Sequence, residues 1–284
     1  MRILLTGSTG FIGTHLLGEL LHVGHEVVAV RRPESLPVIP LEHQPIWLDR
    51  SLLQLTADDL VQVEVVIHLA SAAVSPQQAS WQELEKINVS AGLHLVQLAY
   101  QAGVRRFVAA GTCFEYGPDS GDWDRIPPWA PLRPTTPYGA SKAAGFLMLN
   151  AFATAYPIEF FYGRIFTAYG EGQFSGNLWP SLRQAALAGE DFPMTDGTQI
   201  LDFIKVGDVA KHLCAAAERS DVNVSQPLVV NIGTGQSQSV LDFAKKEWKK
   251  FGATGFLKPG SLTSPQEKHV RYVADLINLE PNDQ

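Results

Sequence analysis

Gly7-Ser8-Thr9-Gly10-Phe11-Ile12-Gly13 separates a short apolar run, Ile3–Leu5, from a segment that carries Leu16, Leu17, Leu20 and Leu21 at helical spacing. Glycines at such a junction allow a tight strand-to-helix turn. They also let backbone N–H groups approach a pyrophosphate at the positive end of the helix. A glycine triplet alone is a weak sign. With a strand before it, a helix after it and an alternating pattern behind it, the triplet predicts a dinucleotide-binding βαβ unit. The spacing is G-x-x-G-x-x-G rather than G-x-G-x-x-G.

The alternation continues. Val27–Val30, Val63–Leu69 and Phe107–Ala110 read as buried strands, and Leu84–Ala102 reads as a helix with Ile87, Ala91, Leu95 and Leu98 on one face. This pattern predicts an α/β fold, a Rossmann-like, doubly wound parallel sheet. Asp119–Pro137 is rich in proline and reads as a long loop. A helix from Tyr138 to about Tyr156 and a strand at Glu159–Phe166 follow. Past Tyr169 the pattern breaks. Glycines at 170, 172 and 176 and a helix at about Pro180–Ala188 indicate a smaller C-terminal substrate lobe. The expected division is 1–168 for the nucleotide-binding domain, with about 202–235 returning to it, and 169–284 mainly for the lobe.

Of the 284 residues, 45% are hydrophobic and 18% charged, which supports a sizeable core and excludes an intrinsically disordered chain. A net charge of −7 argues against nucleic acid or an anionic membrane surface as partner. Two cysteines, Cys113 and Cys214, and eight histidines without an HExxH pair lead us to expect neither a disulfide framework nor a metal site. The apolar start is too short for a signal peptide, which needs a run of about 7–15 residues, and no stretch reaches the ~18 apolar residues of a membrane span. A cytoplasmic setting is the expectation.

Three groups of residues carry chemistry. The second strand runs into Arg31-Arg32, where a carboxylate would hold the ribose hydroxyls of NAD. Arginine there suits a 2′-phosphate, so the residues point to NADP (as NADPH) ahead of NAD, unless both arginines are merely solvated. Asp49 follows Ile46-Trp47-Leu48 and is a candidate for the adenine amine. Tyr138 and Lys142 lie four residues apart, on one helix face, where an ammonium can stabilise a phenolate. Thr112 ends a strand at the edge of the sheet where ligands of open α/β folds bind.

Taken together, the glycine loop, His68-Leu69-Ala70, Thr112 with Tyr116-Gly117, Pro137-Tyr138-Gly139-x-Ser141-Lys142, Arg164-x-Phe166 and Asp202-Phe203-x-x-x-x-Asp208-Val209-Ala210 resemble the extended short-chain dehydrogenase/reductases. The likeness is to the nucleotide-sugar epimerase/dehydratase branch, over residues 6 to about 235. The resemblance implies Thr112, Tyr138 and Lys142 as catalytic residues. It places Gly7, Gly10, Phe11, Ile12, Gly13, Leu69, Ala70 and Phe166 beside the cofactor, with Tyr138 and Lys142. It implies a nucleotide-sugar substrate touched by Thr112, Phe114, Thr167, Asn177 and Arg183, although Asn177 also suits an ordinary helix cap. It further implies a homodimer through helices at about 84–102 and 138–156.

Departures from the pattern refine the expectation. Sugar 4,6-dehydratases carry an Asp-Glu pair right after the catalytic Thr; Cys113 and Phe114 stand there instead, which argues against water elimination. The family's Arg-Asp-Phe is Leu201-Asp202-Phe203, so a diphosphate must lean on other cations, with Arg183, Lys205 and Lys258 as candidates. Phe114, Tyr116, Trp123 and Trp129 either line a sugar pocket or anchor loops. The expected activity is NADPH-dependent reduction of a nucleotide-linked 4-keto-6-deoxy sugar. The alternative is a nucleotide-sugar 4-epimerase with tightly bound NAD.

Overall fold

The computed structural model describes residues 1–73, 79–118, 123–263 and 270–280. Residues 119–122 of the proline-rich stretch, and 264–269 and 281–284 of the expected lobe, lie outside the described residues. Strands β1 (Arg2–Thr6), β2 (Glu26–Arg31), β3 (Ile46–Asp49), β4 (Val65–His68), β5 (Arg106–Thr112) and β6 (Glu159–Ile165) form one parallel sheet with Leu228–Ile232. Its order is Leu228–Ile232, β6, β5, β4, β1, β2, β3. The chain winds outward in both directions from the β1–β4 pair. The crevice at that switch point is where open α/β sheets bind ligands.

The helices are α1 (Phe11–His22), α2 (Trp81–Leu84), α3 (Ala91–Gln101), α4 (Pro137–Ala155), α5 (Leu178–Ala188), α6 (Val206–Ala216) and α7 (Val240–Lys250). Alternate strand residues face opposite layers. Ile3, Leu5, Val27, Ala29 and Ile67 pack with Leu16, Leu17 and Leu20 of α1 and Val209 and Leu213 of α6. Leu4, Val28, Val66, Phe107 and Phe160 pack with Leu95, Val96 and Ala99 of α3 and Leu149 and Ala153 of α4. Burial on both faces explains why these strands read as unbroken apolar runs. Beyond the sheet, Leu182 and Ala186 of α5 meet Ala244 and Trp248 of α7 in a separate cluster.

Two elements differ from the sequence reading. The edge strand β3 pairs in register with β2, Arg31 opposite Asp49, but four half-exposed residues give too short an alternation to read. The helix expected over Leu84–Ala102 is interrupted by a π turn, Glu85–Ser90. A Cβ at Gly145 of α4 would overlap the Asn88 carbonyl oxygen, so the widened turn and the bare glycine fit against each other.

α4 starts cleanly. Thr136 is its N-cap and accepts a hydrogen bond from the Gly139 N–H at 3.1 Å, and Pro137 occupies the first turn. These devices set Tyr138 and Lys142 at a fixed height above the strand ends.

Candidate active site

The glycine loop is built as a cradle. Gly7 has φ +72°, and a Cβ on it would lie 2.7 Å from the Ala70 nitrogen, so the turn after β1 rests on the chain leaving β4 at Leu69–Ala70. A Cβ on Gly13 would overlap the Gly7 carbonyl oxygen, which sets how closely α1 approaches the strand. Gly10 is the N-cap of α1, with no side chain on the first-turn amides and no acidic residue in that turn. Phe11 and Ile12 continue it, half-buried. A bare, positively polarised helix start with close backbone packing around it fits the pyrophosphate of a dinucleotide.

At the end of β2, Arg31 is already engaged. Its Nε donates to Asp49 Oδ1 at 2.6 Å, and its guanidinium lies 4.4 Å from the centre of the Trp47 ring. Arg32 is exposed. The carboxylate that sequence reading assigned to an adenine amine therefore faces the arginine assigned to a 2′-phosphate.

The catalytic candidates come together above β4 and β5. Thr112 is buried at the end of β5, Tyr138 opens α4, and one turn on Lys142 Nζ donates to the Ala110 carbonyl of β5 at 2.7 Å. Burial lowers the proton affinity of Lys142, while Glu115 works to raise it. The Tyr138 phenol is held well above its ordinary value, first by burial and then by Glu115, with a hydrogen bond to Ser71 working the other way. This differs from the expectation that Lys142 sets a low phenol pKa: the ammonium is turned to a backbone carbonyl.

Sequence reading missed the supports of this group. Asn88, in the π turn, accepts from Ser71 Oγ at 2.9 Å and the Ala72 N–H at 2.7 Å, and donates to Ser141 Oγ at 2.8 Å. It ties the loop after β4 to α4 beside Tyr138. The carboxylate of Glu115 sits beneath Thr112. A lone Asn and a lone Glu carry no periodic or spacing signal, and only the fold brings them to the site.

His68 is buried, shares a 2.8 Å hydrogen bond with Thr6 Oγ1, and has its pKa pulled down to about 3 by burial and by Lys142. It stays neutral in the fold, while an unfolded histidine takes a proton below about pH 6.5. Its contribution is complete above that pH and is lost as pH falls. Denaturant titrations at pH 8 and pH 5 are expected to differ by about 2 kcal/mol from this residue, and His68→Gln should remove that part of the difference.

The substrate candidates scatter more. Phe114 is 47% exposed next to Thr112 and sits edge-on to Tyr272 with ring centres 5.7 Å apart. Thr167 is half-buried, its N–H bonded to the Asp202 carbonyl at 3.0 Å. Asn177 precedes α5 as its N-cap residue, and Arg183 is exposed on that helix. Lys258 is drawn to Asp191 at 3.3 Å, while Lys205 is exposed. Phe166 is a core residue, packed with Cys113, Tyr116 and Tyr272. Asp202 is fully buried and accepts from Thr234, Gly235 and Ala274, which makes it a clasp for the loop after Leu228–Ile232.

The model of the NAD dependent epimerase/dehydratase family matches residues 3–233. This chain belongs to that family. The UDP-glucose 4-epimerase of Neisseria meningitidis serogroup B is 30% identical over 309 residues, covering 97% of this chain and 87% of that enzyme. The structure of MoeE5 in complex with UDP-glucuronic acid and NAD superposes with a TM-score of 0.83 at 32% identity, covering 98% of this chain and 91% of that one. TunA, described as an NAD dependent NDP-hexosamine 5,6-dehydratase, gives 0.80 at 32% identity over 97% of this chain and 89% of its own. These relatives overturn the expectation of NADP, since they are described with NAD. The physical reason lies in β3: Asp49 pairs with Arg31 and Trp47 covers it, so Arg31 is not the free phosphate ligand that its position in the sequence promised. Among the described residues no helix is long and apolar enough to cross a membrane, and no group of three or more His, Cys, Asp or Glu could hold a metal ion.

Proposed function

We propose that this family member inverts the configuration at C4 of a UDP-linked sugar, using NAD that it keeps through the cycle. The observation that carries this reading is the makeup of the site around Thr112. One proton-transfer group, Tyr138, stands beside a hydroxyl donor, and the two positions after Thr112 hold no acid. The Cys113 thiol is buried and pushed up to about 12, mainly by burial, and Phe114 cannot titrate. Elimination of water needs an acid and a base there; oxidation and return at one carbon does not. The 4-epimerase relatives support the same choice. It replaces the NADPH-dependent ketoreductase expected from sequence, whose argument rested on Arg31.

In this reading the amides of Gly7 and Gly10 to Gly13 hold the pyrophosphate, and Lys142 leaves Ala110 for the nicotinamide ribose. When bound, NAD would supply a positively charged ring able to accept the C4 hydride and return it to the opposite face of the 4-keto sugar, which is what inverts C4. Tyr138 accepts the proton of the sugar 4-hydroxyl and returns it to the same oxygen. Thr112 hydrogen-bonds that oxygen and keeps it in place. Arg183 and Lys205 remain the cations for the diphosphate. Incubation with UDP-hexoses and chromatography of the products tests the proposal: pairs of C4 epimers should approach one equilibrium ratio from either side. Release of a dehydrated sugar would replace it with the dehydratase reading.

The cofactor choice has its own check. Calorimetry is expected to show NADH binding at least tenfold more tightly than NADPH. Asp49→Asn, which frees Arg31, should narrow that ratio about tenfold. A native protein that prefers NADPH contradicts the assignment.

The outer faces of α3 and α4 support a dimer. Leu147 and Met148 are 58% and 44% exposed, beside a ring cluster of Tyr100, Phe152 and Tyr156. Sedimentation should give a dimer, and Leu147→Asp with Met148→Asp a monomer.

A further inference from the structure

Glu115 is completely buried, three residues beyond Thr112, and both of its oxygens are occupied. Oε1 accepts from the Thr112 N–H at 2.9 Å and the Tyr162 hydroxyl at 2.8 Å; Oε2 accepts from Arg164 Nε at 2.6 Å. Gly111, just before Thr112, is bare because a Cβ there would run into Glu115 Oε1 and the Tyr162 ring. Arg164 is itself 1% exposed, donates to the Pro128 carbonyl at 2.9 Å, and lies over the rings of Phe146 and Tyr116 at 4.4 and 5.0 Å. The end of β5 is therefore wrapped around one carboxylate. The first turn of α4 closes over it: a Cβ on Gly139, next to Tyr138, would lie 2.6 Å from the Phe114 carbonyl oxygen. A buried charge this fully bonded is costly to build. A scaffold alone could be built from apolar residues.

We infer that Glu115 is a positioning residue of this site, which fixes Thr112 through its N–H and sets a buried negative charge beneath the first turn of α4 that carries Tyr138. The inference rests on Tyr138 as the proton-transfer group proposed above. Glu115 and Cys113 after β5 act on that phenol, which in turn acts on Tyr162 of β6; Lys142 stands one turn on along α4, Arg164 of β6 lies against Glu115 and the Tyr162 ring, and the neutral His68 of β4 is coupled to Lys142. Glu115 is the carboxylate among them, and it opposes ionisation of both Tyr138 and Tyr162. Through it, the ionised Tyr138 is a stronger base, and it keeps the proton taken from the sugar 4-hydroxyl while C4 is oxidised.

The test compares the native protein, Glu115→Gln, and Glu115→Gln combined with Arg164→Met. The double variant matters because the single one leaves a buried guanidinium unpaired and can fail to fold. Two readouts are taken. The first is the pH dependence of kcat and KM for UDP-sugar epimerisation. Its acid limb should move down by one pH unit or more, with KM within about threefold, because the phenol gives up its proton more readily. The second needs no substrate: the phenolate absorbance of each protein minus that of its Tyr138→Phe counterpart, followed as pH is raised. The Tyr138 phenolate should appear at least one unit earlier in the folded variants. Absence of native turnover with a phenolate that does appear earlier would sink the epimerase reading and leave Glu115 in its role. A phenolate that appears no earlier than in the native protein, or a loss of kcat with the acid limb in place, overturns the inference and leaves Glu115 purely structural.

Discussion

Replacing Tyr138 by phenylalanine should lower turnover by about 10²–10⁴-fold, the range typical of a lost general acid–base group. The ring is retained, so the start of α4 keeps its packing and cofactor affinity should change little. The size of the effect follows from the site's composition. In the proposed cofactor complex Lys142 is engaged at the nicotinamide ribose, and Thr112 has no acidity of its own near neutral pH. The Cys113 thiol is held up near 12. No neighbour can take over the proton. Steady-state kinetics with an active UDP-sugar measures this directly, and a Tyr138→Phe enzyme within threefold of native turnover removes Tyr138 from the mechanism.

Arg164→Ala carries the largest expected cost in stability. It strips the ion pair from Glu115, which has 0% exposure and no access to water. Breaking a buried pair by removing one partner costs about 3–5 kcal/mol, and small domains have about 5–15 kcal/mol in total. The variant also empties space between Tyr116, Phe146 and Tyr162. Denaturant unfolding at neutral pH should show most of the stability gone, with Glu115→Leu combined with Arg164→Met closer to native because no charge is stranded. A loss under about 1 kcal/mol for Arg164→Ala would mean that the carboxylate finds another partner or water.

Much of the fold could be read along the chain because its physics is local. Val27–Val30 and Phe107–Ala110 are apolar on both faces and flanked by turns, so buried strands were legible residue by residue. Gly7 and Gly13 were legible because the positions they occupy exclude a side chain. The candidate site was legible where a spacing carries the geometry, as with Tyr138 and Lys142 on one helix turn. What failed depended on partners distant in sequence. Arg31 read as a phosphate ligand until β3 placed Asp49 beside it in register. Glu115 read as nothing, since its three donors come from Thr112, Tyr162 and Arg164, two of them almost fifty residues on. Asn88 became visible only through the π turn that seats it against Ser71 and Ser141.

The chain is similar in structure to MoeE5 and in sequence to the N. meningitidis epimerase, and the proposed choice within this family turns on the side chains after Thr112. The most direct measurement follows an isotopic label through one turnover. A UDP-hexose carrying deuterium at C4 is converted in unlabelled water, with no cofactor added beyond what the protein holds, and the product is analysed by NMR. Epimerisation by oxidation and return at one carbon predicts deuterium retained at C4 of the inverted sugar, with no solvent hydrogen gained elsewhere on the ring. Migration of the label to another carbon with loss of water would contradict the account, as would turnover that requires stoichiometric NADPH and a 4-keto sugar.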